Sequence, residues 1–307
     1  LSTSTEERRP ELIKAVPVRH VGRWIGGVIV LAAAALIIRS IITNPNFQWP
    51  VVGAYLFDNR VIQGLLTTLQ LTVEAMLIGV VGGVILAVMR LSHNPIVSGA
   101  AGIYVWLFRG TPLITQLIFW ANLGALYPTL GLGIPFGPEF ATWQTNALIT
   151  VPTAALLGLG LNEAAYMAEI VRGGIASVDE GQTEAAGALG MTRGKTLYRI
   201  VLPQAMRVII PPTGNQLISM LKTTSLVVVI GAKELMVVVQ QIYASNYKVI
   251  PLLIVAAIWY LVCTSVLTLI QSQIEKKFSR GSGHTMPART GWASRMFAFR
   301  LSRKESQ

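Results

Sequence analysis

Cysteine is nearly absent from this 307-residue chain. Cys263 is the only one, so neither an intrachain disulfide nor a cysteine-based metal site can form. Histidine is scarce too, and His20, His93 and His284 show no ligand spacing. Charge is thin: 13% of residues are charged, against about 25% in a soluble domain. Acidic residues are the scarcer sign, 14 against 25 basic, which leaves a net charge of +11. No Ser/His/Asp, Cys/His or paired-carboxylate constellation stands out, so an enzyme is not expected. No cofactor motif is present either.

What the chain has instead is apolar length. Hydrophobic residues make up 52% and the mean hydropathy is +0.57. They fall in blocks near the roughly 20 residues that a helix needs to cross a bilayer. Six blocks qualify: Trp24–Thr43, Val61–Met89, Val97–Asn122, Asn146–Leu161, Thr213–Ala232 and Val249–Ile270. The second is long enough to tilt or to extend beyond the bilayer, and the fourth is short enough to continue past Asn162. Only helices are plausible, because a lone strand in lipid leaves its backbone unpaired. The first block has no small-residue cleavage site after it and reads as an uncleaved anchor.

The basic residues sit beside these blocks and in the two ends, with no basic-aromatic module, so nucleic acid is not an expected partner. They report topology. With the N-terminus inside, the cytoplasmic segments hold Arg8, Arg9, Lys14, Arg19, Arg23, Arg90, Arg172, Arg193, Lys195, Arg199, Arg207 and eight more beyond Ile270. The outer segments hold only Arg60, Lys233 and Lys248. Both termini are therefore expected to be cytoplasmic.

The outer stretch Leu123–Thr145 is too rich in Gly and Pro for one regular element. Gly79 and Gly83 make a GxxxG face, which suits close packing by a helix of this chain or of another. The tail from Ser279 to Gln307 is polar and basic. Trp292, Met296 and Phe299 share a helical face beside Phe297, with Arg295, Arg300, Arg303 and Lys304. It reads either as an element lying on anionic lipid of the inner leaflet or as a disordered tail.

The fourth and fifth blocks are joined by roughly 50 residues, long for a bundle connection. Asp179 is placed to cap a helix, with Gln182 at the reciprocal position. Ala185, Ala186 and Leu189 give it an apolar face, and Gly190 suits a left-handed stop. Thr192 is placed to cap a second helix bearing Leu197, Ile200 and Val201, with Pro203 expected to end it. Gly190–Thr196 looks like a phosphate-binding loop but is one residue short: Leu189 stands where the first glycine belongs, and no strand precedes it. ATP must be handled by a partner.

Glu184-Ala185-Ala186, then Gly190, Ile200 and Leu202-Pro203, match in every spacing the EAA loop of ABC importer permeases, which this segment resembles. Further stretches are similar to the polar amino-acid uptake branch of that family. They are Thr67-Thr68-Leu69 with Gly79 and Gly83, Phe108–Pro112 (FRGTP), Ala165–Gly173 (AYMAEIVRG) and Lys222-Thr223-Thr224-Ser225-Leu226. The resemblance runs from about Val61 to Arg280. Thr223 departs from it, since the commoner residue there is Asp.

The resemblance implies an all-α membrane protein with about six transmembrane helices: a five-helix permease core plus one extra N-terminal helix. Residues 1–60 would hold that helix and an outer loop. Residues 61–278 would be the permease domain, with the EAA loop at about 163–207, and 279–307 a basic tail. It implies a multi-pass subunit of the inner (plasma) membrane that moves polar amino acids without catalysing a reaction. The expected partners are ABC ATPase subunits, an extracytoplasmic amino-acid-binding protein, a second permease subunit (the same or a different chain) and membrane lipid. Glu184, Ala185, Ala186, Gly190, Ile200, Leu202 and Pro203 would couple it to the ATPase.

Glu74, Arg109 and Lys222 fall at membrane depth, where charge is costly and marks a path or a packing partner. With Glu169 and Thr223 they form the candidate path or gate set. Arg109 and Lys222, within family motifs, read mainly as gate, fold or pairing residues. For Glu74, contact with a substrate ammonium, pairing with Lys222 and contact with a partner subunit all stay open. The competing function is a gradient-driven secondary transporter or channel, with Glu74 as an ion site.

Overall fold

The computed structural model describes residues 21–134 and 139–278. The expected features of the two ends, including the basic tail, lie outside the described residues. The chain divides at Trp49/Pro50 into two units. In the first, α1 (Val21–Thr43) is the anchor-length helix. Asn44 caps the 3-10 turn Pro45–Phe47 after it, and the Trp49 indole bonds the Ile41 carbonyl at 3.0 Å.

The second unit opens at Pro50, the second residue of α2 (Trp49–Leu56), and is organised along α3 (Asn59–Arg90). Asp58 caps α3 by accepting from the Arg60 N–H, and the Arg60 guanidinium folds back onto the same carboxylate at 2.9 Å. That contact holds the Asp58 carboxyl below the ordinary carboxylate range. At 32 residues, α3 is about 48 Å long, more than the hydrocarbon core requires. The order continues through α4 (Pro95–Gly110), α5 (Leu113–Ala121) and the single turn α6 (Leu123–Leu126). An antiparallel hairpin, β1 (Thr129–Gly133) and β2 (Glu139–Gln144), follows, pairing Thr129 with Gln144 and Leu130 with Trp143. The Gly- and Pro-rich stretch, expected to face outward, thus holds two short strands that satisfy each other's backbone. Beyond lie α7 (Thr145–Leu148), α8 (Val151–Ala176), α9 (Glu180–Ala188), α10 (Arg193–Thr196), α11 (Leu202–Thr223), α12 (Leu235–Asn246) and α13 (Val249–Phe278).

Three buried clusters are stacked along α3. Val61 and Leu65 meet Val52 of α2, Leu235 and Val239 of α12, and Leu252 and Val255 of α13. Leu71, Ala75 and Met76 meet Leu117 of α5, Leu159 of α8 and Met220 of α11. Ala87 meets Met167 and Val171 of α8 and Ala205 and Ile209 of α11. Lipid is as apolar as these side chains, so close packing rather than water expulsion holds such helices together. Gly79 and Gly83 face α8 within the chain. A Cβ on Gly79 would lie 2.4 Å from Glu163 Cγ, and one on Gly83 2.4 Å from Met167 Cβ. Of the two readings of the GxxxG face, packing within the chain is the one found.

Four described helices, α1, α3, α8 and α13, are long and apolar enough to span. Arg193–Ile230 with Leu235–Asn246, bent by 48°, makes a fifth if read as one broken span. The expected spans shift in three places. Val97–Asn122 is two helices, because Thr111, which precedes Pro112, takes an extended conformation (φ −112°, ψ 144°). Asn146–Leu161 is replaced by α8, which reaches Ala176; the connection to α11 therefore starts at Ser177, not near residue 163. Thr213–Ala232 begins earlier, at Leu202, and passes through Pro211–Pro212 before tightening into a 3-10 helix at Thr224–Ile230. Membrane helices accept such prolines because neighbouring groups take up the freed carbonyls. Pro211 and Pro212 remove the helical bonds to the Arg207 and Val208 carbonyls; one turn on, Gln271 of α13 donates to the Pro211 carbonyl at 3.2 Å and ties α13 to α11 beside the prolines.

Candidate functional site

The α8–α11 connection is an ordered knob. Asp179 caps α9 as expected, accepting from the Gly181 N–H at 2.7 Å. The reciprocal bond expected of the Gln182 side chain is not made; its backbone N–H bonds the Asp179 carbonyl. Gly190 adopts φ +74°. Its N–H reaches the Gly187 carbonyl at 2.9 Å, and the Met191 N–H reaches that of Ala186 at 3.0 Å. These are the closing bonds of a left-handed helix stop. Thr192 occupies the cap position of α10 without a side-chain bond.

The expectation that Pro203 ends the second loop helix is overturned. α10 passes into a π turn over Leu197–Val201, in which the Leu202 N–H bonds the Leu197 carbonyl, and α11 follows directly. Pro203 stands in the first turn of α11, a position where a missing N–H is tolerated.

Of the expected coupling residues, Ala186 is buried and forms the base of the knob. Glu184, Ala185, Gly190 and Pro203 are exposed, and Ile200 and Leu202 are half-buried. Leu189, expected on the packed face, is 82% exposed, and Tyr198 is 74% exposed. The loop thus presents acid, aliphatic and aromatic groups on a stiff frame.

The second constellation lies at the break between α4 and α5. The Gln116 amide donates to the carbonyls of Phe108 (2.9 Å) and Thr111 (3.2 Å) and to the Thr111 hydroxyl (2.8 Å). Asn162 of α8 donates to the same Phe108 carbonyl and to Gln116 Oε1. Next to Asn162, Glu163 is 5% exposed and receives the Gln216 amide of α11 at 3.1 Å. Beyond the break, Arg109 stacks over the Tyr166 ring at 5.3 Å. Glu169 pairs with Arg172 at 2.8 Å and with Arg90 at 3.9 Å.

The candidate path residues therefore divide. Arg109 and Glu169 lie on this polar flank of α4 and α8. Glu74 is half-buried on α3 with the Gln70 amide on it at 2.8 Å. Lys222 is exposed near the end of α11, and Thr223 bonds back to the Ser219 carbonyl. No Glu74–Lys222 ion pair forms among the described residues, so that pairing is set aside.

Two buried carboxylates were not foreseen. Glu163 fell just past the expected end of the fourth span; a helix drawn to Ala176 would have exposed an Asn-Glu pair inside an apolar run. Glu234 fell in an expected outer loop. It is 0% exposed and caps α12 through the Val237 N–H, while the hydroxyls of Thr68 and Tyr260 donate to its other oxygen. One carboxylate thus ties α3, α12 and α13. No sequence signal marks it beyond an acid immediately before an apolar helical run.

Residues 79–280 match the family described as binding-protein-dependent transport system inner membrane component. The arginine transport system permease protein ArgU of Corynebacterium glutamicum is 50% identical over 283 residues, 92% of this chain and 88% of that protein. The glutamine transport system permease protein GlnP of Escherichia coli K12 is 33% identical over 230 residues, 75% and 94% of the two chains. A solved amino acid ABC transporter, crystallised with histidines, superposes with a TM-score of 0.60 at 36% identity, covering 71% of this chain and 94% of that one.

Proposed function

This chain belongs to the binding-protein-dependent transport system inner membrane component family, and from that premise we propose that it is the permease of an ATP-driven importer of polar amino acids, arginine among them. The single observation that carries the coupling role is the Glu184–Pro203 knob. A left-handed stop at Gly190 and a helix continuous with α11 give a rigid projection bearing exposed Glu184, Leu189 and Tyr198. Apolar groups this exposed on a charged loop suit burial by a partner. The partner proposed is the ATPase subunit, one on each of two permeases, equal or different. ATP would be hydrolysed there and not in this chain. Both termini are placed in the cytoplasm by the Lys and Arg distribution, with α4 and α5 together making one broken crossing.

The arginine reading draws on the 50% identity to ArgU and on two carboxylates at membrane depth. Glu74 and Glu163 each have a neutral amide as partner, from Gln70 and Gln216. Carboxylates without a neighbouring cation suit a cationic cargo.

Reconstitution with the ATPase and the binding protein should give arginine uptake that stops when ATP is withheld. Uptake driven by an ion gradient with no ATP would overturn the reading. In the same assay, Glu74→Gln is expected to weaken arginine uptake about tenfold while sparing a neutral amino acid. Unchanged uptake and range would remove Glu74 from the path.

A further inference from the structure

At the end of the second unit expected to face outward, a recess of about 350 Å³, with Val238 and Ile242 at its apolar side, lies between the N-terminal turns of α3 and α12. Arg60, Gln63 and Thr67 line it from α3, and Lys233 and Gln241 from the other side. These include two of the three cations that the sequence assigns to the outer segments, Arg60, Lys233 and Lys248. Asp58 neutralises one guanidinium edge of Arg60. The ammonium of exposed Lys233 has no anionic partner among the described residues. The recess therefore carries an uncompensated positive charge beside neutral amides and a hydroxyl.

Its frame is rigid. Glu234, next to Lys233, is locked by the Val237 N–H, Thr68 and Tyr260. α3 and α12 touch closely where a Cβ on Gly64 would stand 3.0 Å from Val238 Cγ2 and 3.1 Å from Leu235 Cα. Arg60 is pinned by its fork onto Asp58. The backbone that carries the lining is thus fixed, while the Gln63, Lys233 and Gln241 side chains stay exposed to meet a partner.

We propose that this recess receives an acidic side chain of the amino-acid-binding protein and sets its register on the permease. This rests on the importer reading above. A carboxylate is the group that a cation flanked by amides recognises. Two features favour a docking protein over the free amino acid as its source. The recess is open, with the Arg60 side chain 60% exposed, whereas small-ligand sites enclose most of their ligand. It also lies far from the candidate path residue Glu74: Arg60 and Glu74 are 14 positions apart on one helix, about 21 Å. A rim cation of this kind steers and orients a macromolecular partner.

The test uses the assembled complex in lipid nanodiscs and the amino-acid-loaded binding protein that stimulates the wild-type ATPase. That stimulation checks the importer reading independently. Lys233→Glu should weaken binding about tenfold at low salt, with the gap narrowing as salt rises. Lys248→Glu, outside the recess, should leave affinity unchanged. Co-purification with the ATPase and an unchanged Tm for Lys233→Glu establish that the variant is folded. Acid-to-lysine substitutions on the binding protein should include one that restores the Lys233→Glu complex. Unaltered affinity in Lys233→Glu overturns the proposal, as does an equal loss in Lys248→Glu, which would mark diffuse attraction. Normal docking with weakened affinity for free amino acid also overturns it, in favour of the cargo's own carboxylate.

Discussion

Gly190→Val is expected to reduce ATP-driven uptake to below about a tenth of wild type while the protein stays inserted in normal amount. The reason is conformational rather than steric. A Cβ at Gly190 meets nothing within 4 Å, but the residue sits at φ +74°. A left-handed conformation costs an L-residue about 1–2 kcal/mol, and more for a β-branched one. That shifts the population of the native turn by a factor of about 5–30. Relief requires breaking the Met191-to-Ala186 and Gly190-to-Gly187 bonds, which re-aims α9 against α10. Glu184, Leu189 and Tyr198 then no longer form one surface. Gly194→Ala is the control: it too has open space, lies within α10 and has an ordinary φ, so uptake should persist. ATP-driven uptake and ATPase coupling at wild-type levels in Gly190→Val would remove the loop from the coupling path.

The second large effect is on stability. Gly83→Val should lower the yield of monodisperse protein severalfold and depress its Tm in detergent. A Cβ there would approach Met167 Cβ at 2.4 Å, the Met167 carbonyl carbon at 2.9 Å and the Ala168 nitrogen at 3.0 Å. Two of these are backbone atoms of α8 and cannot rotate away, so the helices must separate. Overpacking of this kind costs about 1–3 kcal/mol, and here it would spread to Met167, Val171 and the third cluster. Gly173→Ala, on α8 with nothing within 4 Å, should behave as wild type. A Gly83→Val protein with unaltered Tm would show that α3 and α8 have slack.

The long apolar runs made α1, α3 and α13 legible, because each is one unbroken helix at least long enough to cross the bilayer. The course of the α8–α11 connection was legible through its punctuation, Asp179 and Gly190, whose roles are local and need no tertiary partner. Proline misled in both directions. Pro112 breaks a run that hydropathy joins, and its effect on Thr111 is intrinsic. Pro203, Pro211 and Pro212 do not break α11: Pro203 stands in its first turn, and Pro211–Pro212 lie where Gln271 of α13 ties onto α11 at the Pro211 carbonyl. That tie joins residues 60 apart, which no single segment encodes. Glu163 and Glu234 escaped for a related reason. Their burial depends on Gln216, Thr68 and Tyr260, partners 53, 166 and 26 residues away. The same separation hides the recess at Arg60 and Lys233, whose two sides are distant in the chain.

The π turn at Leu197–Val201 carries a consequence of its own. Such a turn holds one residue more than the α-helical course on either side of it, and each residue turns a helix by about 100°. The knob and the span of α11 are therefore out of phase by that one residue. Deleting one position between Leu197 and Val201 would leave a smoother helix yet swing the knob roughly a quarter turn about its axis. Regularity and aim are in conflict here, and the irregular turn sets the direction in which the knob projects.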